Sequence, residues 1–432
     1  MKFYDINNPS NKVTLEEAVI KSISGTSGLY MPESIPLMPE SFYNSLAGLG
    51  LQEIALQVSV AMFGNDIPEN DLQQIINEAL SFPIPLKQLD DNIFVLELFH
   101  GPTLAFKDVG ARFMAGFFQY FLRNQDKEVV ILVATSGDTG SAVANAFYNK
   151  KGVRVVILYP SGKVSGLQEK QLTTMGGNIT ALEVEGDFDD CQRLVKLAFA
   201  DKEVNNRINL TSANSINFAR LFPQSFCYFH ALAQLGRTLN PVVISVPSGN
   251  LGNLTSGLIA KKMGLPVRHF IAATNRNRVV PNYLSSGEFK PQQTFHTISN
   301  AMDVGNPSNF PRLLEIYDRL YTVITSQIKG FSFDDEQNRH AMAELQKLYS
   351  YQADPHGAIG YLGLREYGLA KDTLGIFLET AHPAKFPFEV EKATQIQVAI
   401  PEALKGLANL PSHSIKISNT YSNFSALLET LF

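Results

Sequence analysis

Val129-Val130-Ile131-Leu132-Val133-Ala134-Thr135-Ser136-Gly137-Asp138-Thr139-Gly140 is the stretch on which the fold turns. Its first six residues are all apolar, too few for a helix and too apolar for a surface strand, so they read as a strand buried on both faces. A polar, glycine-containing loop leads from it into a helical pattern over 141–149, and a second buried strand follows at 153–158. Strand, helix and strand in that order make a βαβ unit and hence a parallel sheet. Working outward, the alternation continues with helices near 166–175 and 189–200, a strand at 179–184, a long helix at 218–236 and a strand at 241–246. Further on come helices at 253–263 and 334–350, strands at 269–273 and 374–378, and a closing strand and helix in 415–432. The fold class is therefore α/β. Right-handed crossovers place the loops that follow the strands on one sheet edge, where ligands of such sheets bind.

The first ninety or so residues have another texture. Helical patterns over 14–21, 44–62 and 69–80 are separated by Pro-rich turns, which predicts a mainly helical N-terminal domain. From 93 a short apolar run leads to a helix whose Val109, Phe113, Met114, Phe117, Phe118 and Phe121 share one face, with Asp108 placed to cap it.

A chain of 432 residues is long enough for about three lobes, each with its own core. With 36 Lys+Arg against 41 Asp+Glu it offers no basic surface for nucleic acid or anionic lipid. Cys191 and Cys227 form no disulfide framework and lack metal-ligand spacing, which predicts a reducing, cytoplasmic setting and no metal site. No apolar signal core follows Met1, and no run approaches the roughly 18 apolar residues of a membrane span, so a soluble protein is expected.

Three loops carry chemistry. In Val246-Pro247-Ser248-Gly249-Asn250-Leu251-Gly252-Asn253, a buried strand runs through two glycines into a helix. Converging backbone N–H groups and a helix N-terminus suit a phosphate dianion, although the same pattern also makes a compact strand-to-helix turn. It is neither Gly-x-Gly-x-x-Gly nor a P-loop, which disfavours dinucleotides and nucleoside triphosphates. The loop 135–141 suits a carboxylate, or serves only as an N-cap with turn glycines. In His100-Gly101-Pro102-Thr103-Leu104-Ala105-Phe106-Lys107-Asp108, one lysine lies between an apolar stretch and a helix start. It is either an ordinary solvated lysine or one whose ammonium is disfavoured by burial, the kind that bonds an aldehyde. A phosphate cradle, a carboxylate cradle and an embedded lysine are together what pyridoxal 5'-phosphate and an amino-acid substrate require.

At six places, in order along the chain, the sequence resembles the threonine synthase family of fold-type II (tryptophan synthase β-like) pyridoxal-phosphate enzymes. These are 100–108, 134–140, Ser212-Ala213-Asn214-Ser215-Ile216-Asn217 with Arg220, 248–252, Ser299-Asn300-Ala301-Met302-Asp303-Val304, and Thr380-Ala381-His382-Pro383-Ala384-Lys385-Phe386. The resemblance implies two open, twisted, mainly parallel sheets flanked by helices. It implies a helical domain over 1–92, a smaller α/β domain over 93–215 and a larger one over 216–432. The implied enzyme is a lyase of threonine biosynthesis that converts O-phospho-L-homoserine and water to L-threonine and phosphate, by γ-elimination and then β-addition of water. It would act on this small molecule as a monomer or small homo-oligomer, without nucleic acid or membrane partners. By the same resemblance Lys107 is the Schiff-base lysine, Gly249, Asn250, Leu251, Gly252 and Asn253 bind the cofactor phosphate, and Thr380 faces the pyridine nitrogen. Ser136, Asp138 and Thr139 lie around the substrate carboxylate and the cofactor's phenolic oxygen, while Asn214, Ser215 and Arg220 hold the substrate phosphate. Asp138 stands where many relatives carry Asn, so its carboxylate must either be protonated or find a donor.

Overall fold

A computed structural model describes every residue except 26, 27, 126, 127, 136 and 165, together with all side chains of the regular elements but those at 403 and 408. The chain opens with strands β1 (Lys2–Asp5), β2 (Asn8–Thr14) and β3 (Tyr30–Pro32), an antiparallel sheet in the order β2-β1-β3. The N-terminal segment is mainly helical, as expected, and adds this small sheet, whose short strands leave no clear period-2 signal. Its helices do follow the pattern. Leu15–Lys21 starts on a reciprocal cap in which Thr14 Oγ1 accepts from Glu17 N at 3.2 Å and Glu17 Oε2 accepts from Thr14 N at 3.1 Å. Leu51–Phe63 and Glu69–Ala79 follow.

The remaining strands are β4 (Leu86–Gln88), β5 (Ile93–Glu97), β6 (Val129–Ala134), β7 (Val153–Pro160), β8 (Ile179–Glu185), β9 (Leu210–Ser212), β10 (Val242–Pro247), β11 (His269–Thr274), β12 (Ile328–Ser332), β13 (Leu374–Glu379) and β14 (Ile415–Ser418). They form two sheets. One has the order β12-β11-β10-β13-β5-β4, parallel except for β4, and the other has the order β14-β8-β7-β6-β9, parallel throughout. Strand β6 is buried along its whole length, as a central parallel strand requires. Sheet membership departs from the expected boundaries at 93 and 215. Strand β5 lies beside β13 in the six-stranded sheet, and β14, near the C-terminus, lies beside β8 in the five-stranded one.

Each sheet has one place where the strand order reverses. Chain progress moves outward from β10 to β11 and β12 and then returns with β13 on the other side of β10; likewise it moves from β6 to β7 and β8 and returns with β9. Loops leaving the carboxyl ends of strands at such a reversal diverge and open a crevice. The glycine loop follows β10, Thr380 follows β13, the 135–137 loop follows β6, and Asn214 and Ser215 follow β9.

The helix expected over 218–236 is broken into Phe218–Leu221, a 3₁₀ turn Phe222–Gln224 and Ser225–Leu235, with Pro223, which has no N–H to continue the ladder, at the break. Among the described residues no helix is long and apolar enough to cross a membrane. The N-terminal helices share a core with the helix Lys107–Leu122: fully buried Phe63 meets Phe117 edge-on at 5.2 Å between ring centroids and Phe222 at 4.9 Å. Phe63→Ala is therefore expected to cost about 3–5 kcal/mol, read as a lowered midpoint of chemical denaturation. A loss below about 1 kcal/mol, the size of a surface substitution's effect, would mean that the two units do not share this core.

Candidate active site

Loop 98–106 delivers Lys107 to the crevice by a short sequence of constraints. Asp108 does not cap the helix, as its position in the sequence suggested; the helix begins one residue earlier, at Lys107. Instead the buried Asp108 carboxylate closes the loop, accepting from Thr103 N at 2.8 Å and Thr103 Oγ1 at 2.7 Å. Gly101 makes room for it, since a Cβ there would lie 2.5 Å from Asp108 Oδ2. Leu104 takes up a left-handed φ of 57°. From the other side the segment after β13 zips onto this loop, with Phe106 N donating to Thr380 O at 2.8 Å and His382 N to Leu104 O at 3.1 Å. Lys107 is fixed at the ends of two adjacent strands, yet 31 % of its side chain stays accessible, so it faces the crevice. Burial lowers its pKa to about 8; Asp138 pulls it back up, and Arg220 and Lys385 push it further down.

Asp138 begins the helix Asp138–Phe147 and is almost fully buried. It has found donors: its Oδ1 lies 2.6 Å from Lys385 Nζ and accepts from Gln168 Nε2 at 2.8 Å, and its Oδ2 is 4.0 Å from Lys107 Nζ. Burial alone would push the carboxyl up, but the two lysines and these hydrogen bonds outweigh it and hold Asp138 well below the usual carboxylate range. The helix above has no side-chain cap at Gly137. Thr135 Oγ1 takes the N–H groups of Gly137 and Gly140, both at 2.9 Å, while those of Asp138 and Thr139 have no acceptor among the described residues. Ser136, the third residue expected here, lies outside the described residues.

The glycine loop is built in the same way. Leu251 adopts a left-handed φ of 62° just before the helix Gly252–Lys262, again without a side-chain cap. The backbone N–H groups of residues 249 to 254 have no acceptor among the described residues, which is what an anion cradle offers. Gly249 is pressed against the 300–302 turn, where a Cβ would lie 2.8 Å from Met302 Cα. Two side chains of the set turn away: Asn250 Oδ1 accepts from Ser308 N at 2.9 Å, and Asn253 Oδ1 from Tyr228 Oη at 2.7 Å. Asn253 Nδ2 and Thr255 Oγ1 are buried with no hydrogen-bond partner among the described residues.

Next to this cradle lies the 213–220 turn. Ser215 Cβ would be 3.2 Å from a Cβ on Gly252, and Asn309 links the two loops, donating to Asn250 O at 3.1 Å and to Ser215 Oγ at 3.4 Å. Asn214 is half-buried beside it. Arg220 is 3 % exposed; its guanidinium donates to Ala213 O and to no other protein group among the described residues. Burial lowers its pKa to about 10, with Asp108 acting against this. A buried guanidinium with most of its donors unused is ready for an anion. Half-buried Thr380 uses its carbonyl on Phe106, and its hydroxyl makes no protein hydrogen bond among the described residues.

The open N–H groups at residues 249 to 254 and a lysine that faces a crevice from deep inside the chain fit a phosphorylated aldehyde. Lys385 and Gln168, which hold Asp138, had been given no role from sequence. Lys385 lies inside one of the six matched stretches, yet nothing in the local pattern tells a buried lysine from a solvated one. Gln168 lies in a helix with no distinguishing motif.

A family model described as pyridoxal-phosphate dependent enzyme matches residues 78–375, more than half of the chain, and sets its class. Models described as threonine synthase N terminus and threonine synthase, C-terminal, match 2–80 and 357–427. A threonine synthase from Haemophilus influenzae is 46 % identical over 99 % of both chains. The crystal structure of threonine synthase from Escherichia coli is 42 % identical, with a TM-score of 0.93 and 100 % of both chains covered. That of pyridoxal-phosphate-bound threonine synthase from Brucella melitensis is 33 % identical, also at 0.93, covering 100 % of this chain and 99 % of that one. The chain belongs to the threonine synthase family.

Because a Cβ on Gly249 would meet backbone and not a movable side-chain end, Gly249→Ala must displace the cradle. Its dissociation constant for pyridoxal phosphate is expected to rise about tenfold or more, measured by titrating the visible absorbance. An unchanged constant would remove the loop from the phosphate site.

Proposed function

We propose that the chain is a threonine synthase, a pyridoxal-phosphate-dependent lyase that converts O-phospho-L-homoserine and water to L-threonine and phosphate in the closing step of threonine biosynthesis. The observation that supports this reading best is the pairing of two phosphate-type sites: the open N–H groups of the glycine loop, and, one residue contact away, Ser215 with the buried, largely unused guanidinium of Arg220. Dehydratases and β-replacement enzymes of the same class need only the first.

In this reading Gly249, Asn250, Leu251, Gly252 and Asn253 hold the cofactor phosphate through backbone N–H groups. Lys107 is the amine that bonds the cofactor's carbonyl carbon, and Thr380 offers its hydroxyl to the ring nitrogen. The bound cofactor supplies a conjugated ring that takes up the electrons left when protons are removed from the substrate. The N–H groups of Asp138 and Thr139, with Ser136, hold the substrate carboxylate at a helix N-terminus. Neutral Lys107 would take the proton from Cα, a task its lowered pKa suits, and a Cβ proton would also have to be lost before phosphate departs. Asn214, Ser215 and Arg220 hold the substrate phosphate while it leaves Cγ, and the site then excludes all but the water that adds at Cβ. Asp138 stays anionic beside Lys107. We further propose the three-lobe division 1–92, 93–215 and 216–432, with β5 and β14 exchanged between the two α/β lobes. A cytoplasmic enzyme fits the two buried free cysteines; we propose a monomer or small homo-oligomer.

The deciding assay supplies O-phosphohomoserine, serine and threonine in turn. Threonine and inorganic phosphate in equal amounts from the first are expected; ketoacid from serine or threonine as main product would overturn the reading. Lys107→Ala should fold and lose about 10²–10⁴-fold or more in turnover. Arg220→Ala should raise KM roughly ten- to hundredfold, the worth of one charge-assisted hydrogen bond, with a smaller change in kcat.

A further inference from the structure

Lys385 has no access to solvent: its side chain is 0 % exposed. An ammonium there is costly unless paired. Its Nζ lies 2.6 Å from Asp138 Oδ1 and donates to the Thr103 carbonyl at 3.0 Å, so it joins the lysine loop to the helix of the five-stranded sheet. Gln168 adds a second donor to the same Oδ1 at 2.8 Å. That oxygen is filled, and the other, Oδ2, faces Lys107 at 4.0 Å.

We propose that Lys385 is a positioning residue for proton transfer: by fastening one oxygen of Asp138 it makes a single carboxylate serve two lysines and keeps Lys107 from being locked as an ammonium ion. The inference rests on Lys107 being the reacting amine of the proposed function. Were Asp138 to pair with Lys107 alone, its whole charge would stabilise the protonated amine and the neutral form would be reached only at high pH. With Lys385 in place, the charged groups felt by Lys107 are Asp138, Arg220 and Lys385, two cations against one anion. Lys385 in turn faces Asp138, Asp108 and His382.

The test measures the ionisation of Lys107 in the full-length protein freed of its cofactor. The protein is labelled with trinitrobenzenesulfonate from about pH 6 to 11, a range spanning the ordinary lysine value, and the modified Lys107 peptide is quantified by mass. In Lys385→Met the midpoint should move up by about one unit or more, in Asp138→Asn it should move down, and in the double variant it should fall between the two. The acid limb of kcat of the loaded enzymes, which reports groups titrating in the substrate complex, should move in the same directions. If Lys385 only fastens Thr103, Lys385→Met lowers melting temperature and kcat but leaves the midpoint in place, and the proposal fails. Should Lys385→Met not fold, Lys385→Arg must keep the parent midpoint while Asp138→Asn lowers it; an unmoved midpoint in Asp138→Asn overturns the idea. A parent that makes threonine while its variants show no opposed shifts contradicts the role of Lys385 alone. Opposed shifts in a parent that makes no threonine contradict the proposed function and leave the charge sharing standing.

Discussion

One buried carboxylate, Asp138, stands between two lysines where the two parallel sheets meet, and the geometry of the crevice depends on that meeting. Lys107 comes from the loop after β5 and Lys385 from the turn after β13, both on the six-stranded sheet; Asp138 comes from the loop after β6 on the five-stranded one. The ion pair therefore links the two sheets at the carboxyl ends of their strands. A buried pair of this kind is weak evidence for stability, because desolvating the charges offsets much of their attraction. What it provides is a fixed charge pattern at a fixed place.

Around it the chain accepts local costs that a purely structural core would avoid. Two helices start at the crevice without side-chain caps, Leu104 and Leu251 adopt left-handed backbone angles, and Arg220 is buried with one protein hydrogen bond among the described residues. Unpaired donors and strained angles gathered at one place mark a ligand site, since the ligand makes the missing bonds. Elsewhere the helix starts are mixed: Asp334 and Asp354 each accept two backbone N–H groups, whereas Glu69–Ala79 and Tyr421–Leu431 begin without a side-chain cap.

Much of this was legible in the sequence, and the limits have physical causes. The buried strands Val129–Ala134, Val153–Pro160 and Val242–Pro247 announced themselves because parallel strands covered on both faces are continuous apolar runs. The loops between strand and helix were legible as well, since glycine and hydroxyl residues there have few alternatives. The antiparallel sheet Lys2–Pro32 and the pairing of β14 with β8 were not, because short half-exposed strands carry little periodic signal and partner choice is a long-range property. Asp108 was read as a cap from its position alone; its bonds to Thr103 depend on the turn at Leu104, which local pattern does not disclose. Lys385 and Gln168 were missed for the same reason: what makes them matter is burial against Asp138, from residues 30 and 247 positions distant in sequence.

The chemistry proposed for the crevice depends on the amine of Lys107 carrying the cofactor. The most direct check is borohydride reduction of the purified full-length protein, followed by proteolysis and mass analysis. The account predicts loss of the visible band and the added pyridoxyl phosphate mass on the peptide that contains Lys107. The same mass on the peptide containing Lys385, or on neither, would contradict it.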